Sequence, residues 1–246
     1  MKAWESNIRK VEPYVPGEQP KVQDVIKLNT NENPYGPSEN VRKAMEAIDI
    51  DRCRLYPDPD VTKLVKSIAD YYGMDNNQVF VGVGSDDVLS MCFLTFFNGK
   101  KPVLFPDITY SFYSVWADLY RIPYEKQKLD DNMKIVPEDY YKENGGVIFP
   151  NPNAPTGLLM DLDSVRDIIE HNKDVDFGGV SAKDLVNEYD NVLVVQTFSK
   201  SRSMAGMRIG YAFGSKELIK ALNDVKFSFN SYTMNMTSID MGVASI

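Results

Sequence analysis

The order of apolar and polar positions predicts alternating strands and helices from residue 79 onward. Short apolar runs end in polar or glycine-containing loops, and most of these loops lead into segments with apolar residues at helical spacing. This alternation is typical of an α/β fold with a mainly parallel sheet sandwiched by helices. The predicted strands are 79–83, 102–105, 146–149, 192–196 and 206–213, and the predicted helices are 39–48, 61–72, 87–97, 110–119 and 161–172.

The first thirty residues predict an N-terminal arm rather than part of the sheet. Pro13, Pro16, Gly17 and Pro20 interrupt any long helix or strand there. In parallel sheets, ligands bind where the loops after the strands meet. The loops that follow residues 83, 105, 149 and 196 are therefore the ones expected to carry the site.

Composition narrows the class of protein. The 246 residues include 27 basic and 35 acidic side chains, a net charge of −8 that disfavours nucleic acid as a partner. One histidine, His171, and two distant cysteines, Cys53 and Cys92, predict no metal site and no disulfide framework. The chain has neither a run of 18 apolar residues nor a signal-peptide core. We therefore expect a cytoplasmic protein that does not bind membranes.

The segment from Thr197 to Tyr211 carries the strongest chemical signal. Lys200 follows the apolar strand VLVVQ, so its stem is expected to pack and its amine to reach a pocket. Such a lysine changes protonation state readily and can form a Schiff base with a carbonyl. Thr197, Ser199 and Arg208 can jointly clamp a phosphate. The alternative for any one of these residues alone is an ordinary solvated loop side chain.

Six motifs occur in a characteristic order: LNTNENPYGPS, YPDP, GVGSDD, PDITYSFY, PNAPTG and SKSRSMAGMRIGY. Together they resemble the histidinol-phosphate aminotransferase family of class II, fold-type-I enzymes that use pyridoxal 5'-phosphate. The resemblance implies a homodimer whose large cofactor-binding domain spans residues 31–246. It also implies the histidine-biosynthetic reaction of L-histidinol phosphate, an amino-acid phosphate, with 2-oxoglutarate. The alternatives are an aromatic aminotransferase, an amino-acid-phosphate decarboxylase of the same fold, or an inactive large-domain fragment.

The resemblance assigns roles around the cofactor. Lys200 would be the catalytic residue, holding the cofactor aldehyde and then moving a proton. Backbone amides of Gly84, Ser85 and Asp86 at a helix start would bind the phosphate, with Thr197, Ser199 and Arg208. Ser85 and the aspartates of the GVGSDD motif are equally typical of an ordinary helix cap.

The resemblance also assigns aromatic and substrate contacts. Tyr110 opens a predicted helix and would stack on the pyridine ring, although it is also typical of a core aromatic. Tyr56 would reach the cofactor phosphate of the partner subunit, or else cover local apolar surface. Asn33 and Tyr35 would face the substrate from the N-terminal loop, or else serve as turn residues.

The chain departs from the family pattern at three places. Relatives have asparagine where this chain has Ala154, so Asn153 is expected to bind the cofactor in its place, across a predicted cis Ala154–Pro155 bond. After Asn172 a strand and an Asp-Glu-Ala-Tyr-like motif are expected to be missing, with Asp174 and Asp176 as candidate replacements or solvated carboxylates. The sequence also ends without a small C-terminal domain and its substrate-binding arginine. We expect a truncated, internally shortened enzyme or an incomplete sequence.

Overall fold

Short strands form two adjoining sheets in the computed structural model, which describes residues 2–18, 21, 26–172, 177–178 and 182–246. The strands are β1 (Val79–Gly82), β2 (Val103–Pro106), β3 (Tyr124–Gln127), β4 (Gly146–Phe149), β5 (Phe177–Gly178), β6 (Val194–Thr197) and β7 (Gly210–Phe213). The α-helices are α1 (Glu39–Glu46), α2 (Thr62–Tyr72), α3 (Ser85–Phe96), α4 (Phe112–Tyr120), α5 (Leu162–His171), α6 (Lys216–Phe229) and α7 (Met236–Ala244). Short 3-10 helices lie at Ala3–Asn7, Ile50–Arg54, Asn76–Gln78, Pro137–Tyr140, Lys183–Asn187 and Ala205–Met207.

The sheets are mainly parallel. One has the order β3-β2-β4-β5, with every neighbouring pair parallel. The other has the order β1-β7-β6, in which β7 runs antiparallel to both neighbours. Cα atoms of β5 and β6 lie within 8 Å of each other, so the two sheets meet there. The predicted α/β fold is confirmed.

Helices cover both faces of these sheets. On one face α2 and α5 bury Leu64 and Ile168, and on the other α3 and α6 bury Phe93 and Leu222. Each of these four side chains is completely or almost completely buried. Burial of one such side chain contributes about 1.5–3 kcal/mol to the free energy of unfolding. This packing fixes the strand ends and the start of α3, on which the candidate site is built.

Several predicted boundaries are wrong. Tyr110 does not open a helix, because α4 begins at Phe112. The segment predicted as strand 206–213 begins with a 3-10 turn, and the left-handed Arg208 (φ 50°) separates that turn from β7. The sequence pattern also misses β3, an edge strand with exposed Glu125 and Lys126. It misses α6 as well, although Ser215 caps that helix by accepting from the Leu218 N–H at 3.3 Å.

The expectation that no strand follows Asn172 is also wrong. Phe177–Gly178 pairs with β4 in parallel, with Ile148 opposite Phe177 and Phe149 opposite Gly178. Two residues give too short an apolar signal for periodicity to predict this strand. The candidate carboxylates Asp174 and Asp176 lie outside the described residues. The Ala154–Pro155 bond is cis, as expected, and the Asn151–Pro152 bond is cis as well.

Candidate functional site

A cavity of about 630 Å³ opens where the loops after β4 and β6 meet the start of α3. The volume suits a small organic ligand. Four predicted residues line it, namely Ser85, Tyr110, Thr197 and Lys200. The other lining residues are Leu89, Cys92, Tyr113, Ile148, Phe149, Pro150, Pro152, Ala154, Leu193, Val195, Gln196 and Ser201. The wall is therefore mostly apolar, with hydroxyl groups and one amine added to it.

The first turn of α3 presents backbone N–H groups to this cavity. Gly84 is the residue before the helix, has φ 89° and carries no side chain that could cap the turn. The Asp87 carboxylate points back instead and accepts from the Val83 N–H at 2.9 Å. An uncapped helix start favours an anion because its N–H groups lack partners and the helix dipole is positive there. This geometry supports the predicted phosphate contact of the Ser85 amide, whereas the Gly84 N–H already donates to the Gly82 oxygen at 2.9 Å.

Two glycines let Arg208 and β7 lie directly against that helix start. A Cβ atom on Gly84 would come within 2.5 Å of Arg208 Nη2. A Cβ atom on Gly210 would come within 2.2 Å of the Gly84 carbonyl carbon and 2.3 Å of the Ser85 nitrogen. Any larger residue at either position would displace the backbone or the guanidinium. The glycines thus form a cradle in which a cation and backbone amides stand side by side.

The hydroxyl groups of Thr197 and Ser199 lie next to each other at the end of β6. Thr197 Oγ1 donates to Ser199 Oγ at 2.9 Å, and the Ser199 N–H donates to Thr197 Oγ1 at 3.1 Å. Thr197 is half-buried in the cavity wall, whereas Ser199 is buried. These bonds fix the loop that carries Lys200, and of the two residues Thr197 lines the cavity whereas Ser199 does not.

Lys200 lies at the mouth of the cavity. Its Nζ donates to the backbone oxygen of Thr30, and its own carbonyl accepts from Asn33 Nδ2 at 3.0 Å. The side chain is exposed, so the expectation of a packed stem is wrong. Lys200 lies beyond the end of β6, in the following turn, and the loop around residues 30–33 covers it from one side. The predicted substrate-facing Asn33 is therefore beside the predicted catalytic lysine.

Tyr110 and Asp86 are joined by a short hydrogen bond. The Tyr110 hydroxyl donates to Asp86 Oδ1 at 2.6 Å, and Arg208 Nη2 lies 3.7 Å from Asp86 Oδ2. Burial, and then this bond to a carboxylate, raise the pKa of Tyr110. The ring lines the cavity and also lies 5.7 Å, centroid to centroid, from Tyr113. Tyr110 thus belongs to the aromatic core and to the cavity wall at once.

Asn153 is positioned for structure rather than for the cavity. It is 2 % exposed, its Oδ1 accepts from Thr109 Oγ1 at 2.9 Å, and its Nδ2 donates to the Ile108 oxygen at 3.0 Å. Ala154, the next residue, lines the cavity. The expectation that Asn153 would take over the missing asparagine contact is therefore not supported by this geometry, because both ends of its amide already have partners.

Tyr56 and Tyr35 do not line the cavity. Tyr56 is 81 % exposed, and its ring centroid lies 4.8 Å from that of Tyr232. Tyr35 is 80 % exposed, and its N–H donates to Asn33 Oδ1 at 3.0 Å. Neither tyrosine is brought to the site by a single chain, so the role predicted for Tyr56 depends on a second subunit.

Sequence reasoning missed several residues of the cavity wall. Gln196 and Ser201 flank the predicted residues Thr197 and Lys200, so proximity along the chain would have found them. Cys92 lies two turns into α3 on the side that faces the sheet, and only helical spacing indicates it. Burial raises the pKa of the Cys92 thiol to about 12, so this thiol stays protonated.

Charged groups are few in the described part of the wall. Lys200 is the basic side chain there, and none of the described lining residues is an aspartate or glutamate. No three potential metal-ligating side chains of histidine, cysteine, aspartate or glutamate form a group among the described residues. Among the same residues, no helix has the length and apolar character needed to cross a membrane.

Fold and site together define a class of protein. Residues 23–240 match the family model "Aminotransferase class I and II", so the chain belongs to this class of enzymes. It is 50% identical to the histidinol-phosphate aminotransferase of Clostridium beijerinckii over 254 positions, which cover 100% of this chain and 71% of that protein. It is 52% identical to histidinol-phosphate aminotransferase 1 of Hydrogenovibrio crunogenus, over 99% of this chain and 71% of that protein.

The chain belongs to the histidinol-phosphate aminotransferase family, as the resemblance predicted. The alignment with the Clostridium beijerinckii protein is eight positions longer than this chain, 254 against 246, so it contains gaps in this chain. The family identifies the chain as a pyridoxal-phosphate-dependent transaminase.

Solved structures share the fold. A histidinol-phosphate aminotransferase from Sinorhizobium meliloti in complex with pyridoxal-5'-phosphate has a TM-score of 0.78 at 19% identity, covering 88% of this chain and 62% of that one. The enzyme from Clostridium acetobutylicum has a TM-score of 0.73 at 22% identity, covering 87% of this chain and 68% of that one. At these identities the likeness extends to the fold.

The cofactor is pyridoxal 5'-phosphate, and the described residues fit its phosphate group and its aldehyde group. The cradle of Gly84, Gly210 and Arg208 leaves backbone amides and a guanidinium at one side of the cavity, which suits a phosphate. Lys200 supplies an amine at the mouth, which suits an aldehyde. The predicted contacts of the individual residues with the cofactor stay predictions.

Proposed function

We propose that this protein transfers the amino group of L-histidinol phosphate to 2-oxoglutarate, giving imidazole-acetol phosphate and L-glutamate. The observation that carries this proposal is the identity of about 50% with histidinol-phosphate aminotransferases over the whole chain, together with Lys200 in the cavity wall. Bound pyridoxal phosphate would supply the electron sink for the transfer.

The chain's own residues divide the work. Lys200 would hold the cofactor aldehyde, and its amine, freed by the incoming substrate, would carry the proton at the reacting carbon. The N–H groups of the first turn of α3 and the Arg208 guanidinium would bind the phosphate. The Tyr110 ring would cover one face of the pyridine, and Thr197 would offer a hydroxyl group beside it. Asn33 holds the Lys200 backbone, which fixes where the amine emerges.

The proposed active form is a cytoplasmic homodimer. Tyr56 is exposed on the YPDP loop and does not line the cavity of its own chain, which supports a contact across a subunit interface. A mixture of Lys200→Ala and Tyr56→Phe subunits tests the shared site. If each site uses Lys200 from one subunit and Tyr56 from the other, refolded mixtures regain activity that neither variant has alone. Mixtures no more active than their components argue against sharing.

The reaction is tested by turnover and by covalent trapping. The purified chain should form glutamate from histidinol phosphate and 2-oxoglutarate, and borohydride should fix the cofactor on Lys200 in a peptide map. The matched control is Lys220→Ala, since Lys220 is an exposed lysine of α6 paired with Asp224. Lys200→Ala should lose turnover and trapping, whereas Lys220→Ala should keep both. Retention of both by Lys200→Ala would show that another residue does this work.

Substrate breadth needs a parallel assay. Phenylalanine and threonine phosphate test the alternatives of an aromatic aminotransferase and an amino-acid-phosphate decarboxylase. A higher kcat/KM for either compound than for histidinol phosphate contradicts the proposed substrate. If the protein binds the cofactor but turns over none of these three compounds, the result supports an inactive domain that retains only cofactor binding.

A further inference from the structure

The position of the Asp86 carboxylate is unexpected for a residue at a phosphate site. Asp86 lies in the first turn of α3, beside the N–H groups predicted to hold a phosphate. Two negative groups this close repel each other and disfavour binding of the anion. We therefore expect the Asp86 carboxylate to make other contacts that offset this repulsion.

Its two oxygens face two different residues of the site. Oδ1 accepts from the Tyr110 hydroxyl at 2.6 Å, and Oδ2 lies 3.7 Å from Arg208 Nη2. The first contact fixes the hydroxyl end of an aromatic ring in the cavity wall. The second holds a guanidinium by charge, at a distance slightly beyond a hydrogen bond. Asp86 thus joins the aromatic wall to the cationic corner.

The guanidinium has donors left for a ligand. Arg208 Nη1 donates to the Ala205 oxygen at 3.4 Å, and Nη2 lies against Gly84, whose lack of a side chain makes room for it. A guanidinium offers five donors, and a phosphate accepts two of them at once in the most favourable geometry. Arg208 can therefore bind an anion while Asp86 keeps it pointed at the helix start.

We propose that Asp86 is a positioning residue for the anion pocket, whose carboxylate orients Tyr110 and keeps the Arg208 guanidinium directed at the helix start while a phosphate is bound. This inference rests on the proposed function, since the phosphate is that of the cofactor. It assigns the side chain a role of its own, separate from that of the Asp86 backbone amide.

The direction in which Asp86→Asn changes the affinity for pyridoxal phosphate distinguishes positioning from repulsion. Asp86→Asn keeps an oxygen acceptor for Tyr110 and removes the charge that holds Arg208. If repulsion dominates, the variant binds pyridoxal phosphate more tightly than the unchanged protein. If positioning dominates, it binds pyridoxal phosphate about tenfold more weakly, as expected for loss of a charge-assisted contact. Pyridoxal, which has no phosphate, should bind equally to both.

A neighbouring residue provides the matched control. Asp87 lies in the same first turn of α3 and carries the same charge, but its Oδ2 accepts from the Val83 N–H at 2.9 Å and it contacts neither Tyr110 nor Arg208 in the described hydrogen bonds and ion pairs. Asp87→Asn should therefore leave the ratio of the two affinities unchanged. Trp116 fluorescence can report binding, since its ring lies 6.2 Å from that of Tyr110.

Two further variants keep the proposal testable if Asp86→Asn is unstable. Asp86→Glu keeps the charge and should retain most of the preference for pyridoxal phosphate over pyridoxal. In an Arg208→Gln background, Asp86→Asn should have no further effect on that preference, because the group it positions is gone. An undiminished effect there overturns the proposal.

The outcomes also separate this inference from the proposed function. No binding of pyridoxal phosphate by the unchanged protein contradicts the proposed function itself. Normal binding, with Asp86→Asn equal to or tighter than the unchanged protein, overturns only the role of Asp86. Equal weakening for pyridoxal and its phosphate also overturns it, since the defect would then lie away from the anion.

Discussion

Gly210 gives the sharpest structural test of the site. Its backbone has no positive φ, so an alanine can adopt the local conformation, and the effect of Gly210→Ala is purely steric. The new Cβ would lie 2.2 Å from the Gly84 carbonyl carbon and 2.3 Å from the Ser85 nitrogen, against an ordinary contact of 3.4–4 Å. All of the nearest atoms belong to the backbone, so no flexible side chain can give way.

The size of the effect of Gly210→Ala on stability and cofactor binding follows from the distance by which β7 and α3 must separate. To reach 3.4 Å from 2.2 Å, β7 and the start of α3 must separate by about 1.2 Å. Overpacking of this kind destabilises a core by about 1–3 kcal/mol. The same shift moves the Ser85 N–H relative to Arg208, and misplacement of a binding group by about 1 Å costs up to about a hundredfold in function. Both stability and cofactor binding should therefore fall.

Gly206→Ala is the matched control. Gly206 lies in the 3-10 turn before β7, no atom lies within 4 Å of its added Cβ, and its φ is not positive. The substitution should leave the free energy of unfolding unchanged or raise it by about 0.4–1 kcal/mol, because alanine restricts the unfolded chain. Urea unfolding gives the stabilities, and fluorescence titration with pyridoxal phosphate gives the affinities. If Gly210→Ala matches Gly206→Ala in both measurements, the close approach of β7 to α3 is not what shapes the site.

Three further predictions concern other parts of the cavity wall and core. Asn153→Ala should lower the free energy of unfolding by about 1–3 kcal/mol in urea titrations, because buried partners lose their hydrogen bonds, while the affinity for pyridoxal phosphate changes little. Burial raises the pKa values of Tyr113 and Tyr211, so the folded state keeps protons that the unfolded chain releases above the ordinary value of 10.0. The free energy of unfolding should therefore fall as pH rises beyond 10.0, and a constant value in alkaline denaturant titrations contradicts this. A maleimide should label the exposed Cys53 and spare the buried Cys92 until the protein unfolds, as mass mapping can establish.

Apolar runs give the clearest prediction for strands that are buried along their whole length. β4 was located at Gly146–Phe149 with the bounds that the structure has, because all four of its residues are buried. β3 lies at a sheet edge with exposed charged residues, so its sequence carries no such signal. The two residues of β5 owe their strand pairing to β4, and a contact between distant segments leaves little trace in local periodicity.

Within the site, the sequence predicts which loops meet but not where each side chain points. Ser85, Thr197 and Lys200 follow from the rule that ligands bind beyond the carboxyl ends of strands in α/β sheets. The sequence does not show whether Asn153 or Ala154 faces the cavity. Asn153 is turned away from it because its side-chain amide accepts from Thr109 and donates to the Ile108 oxygen.

Asp86 shows the same limit at the level of charge. A carboxylate in the first turn of a helix is favourable in any protein, since it complements the helix dipole. The same carboxylate beside a phosphate is unfavourable, and sequence alone does not decide between the two effects. The contacts of Asp86 with Tyr110 and Arg208 decide between them. Tyr110 lies 24 residues after Asp86 in the sequence, and Arg208 follows β6, so both residues meet Asp86 only once the sheet has formed. Its role therefore rests on the folded arrangement of three separate segments.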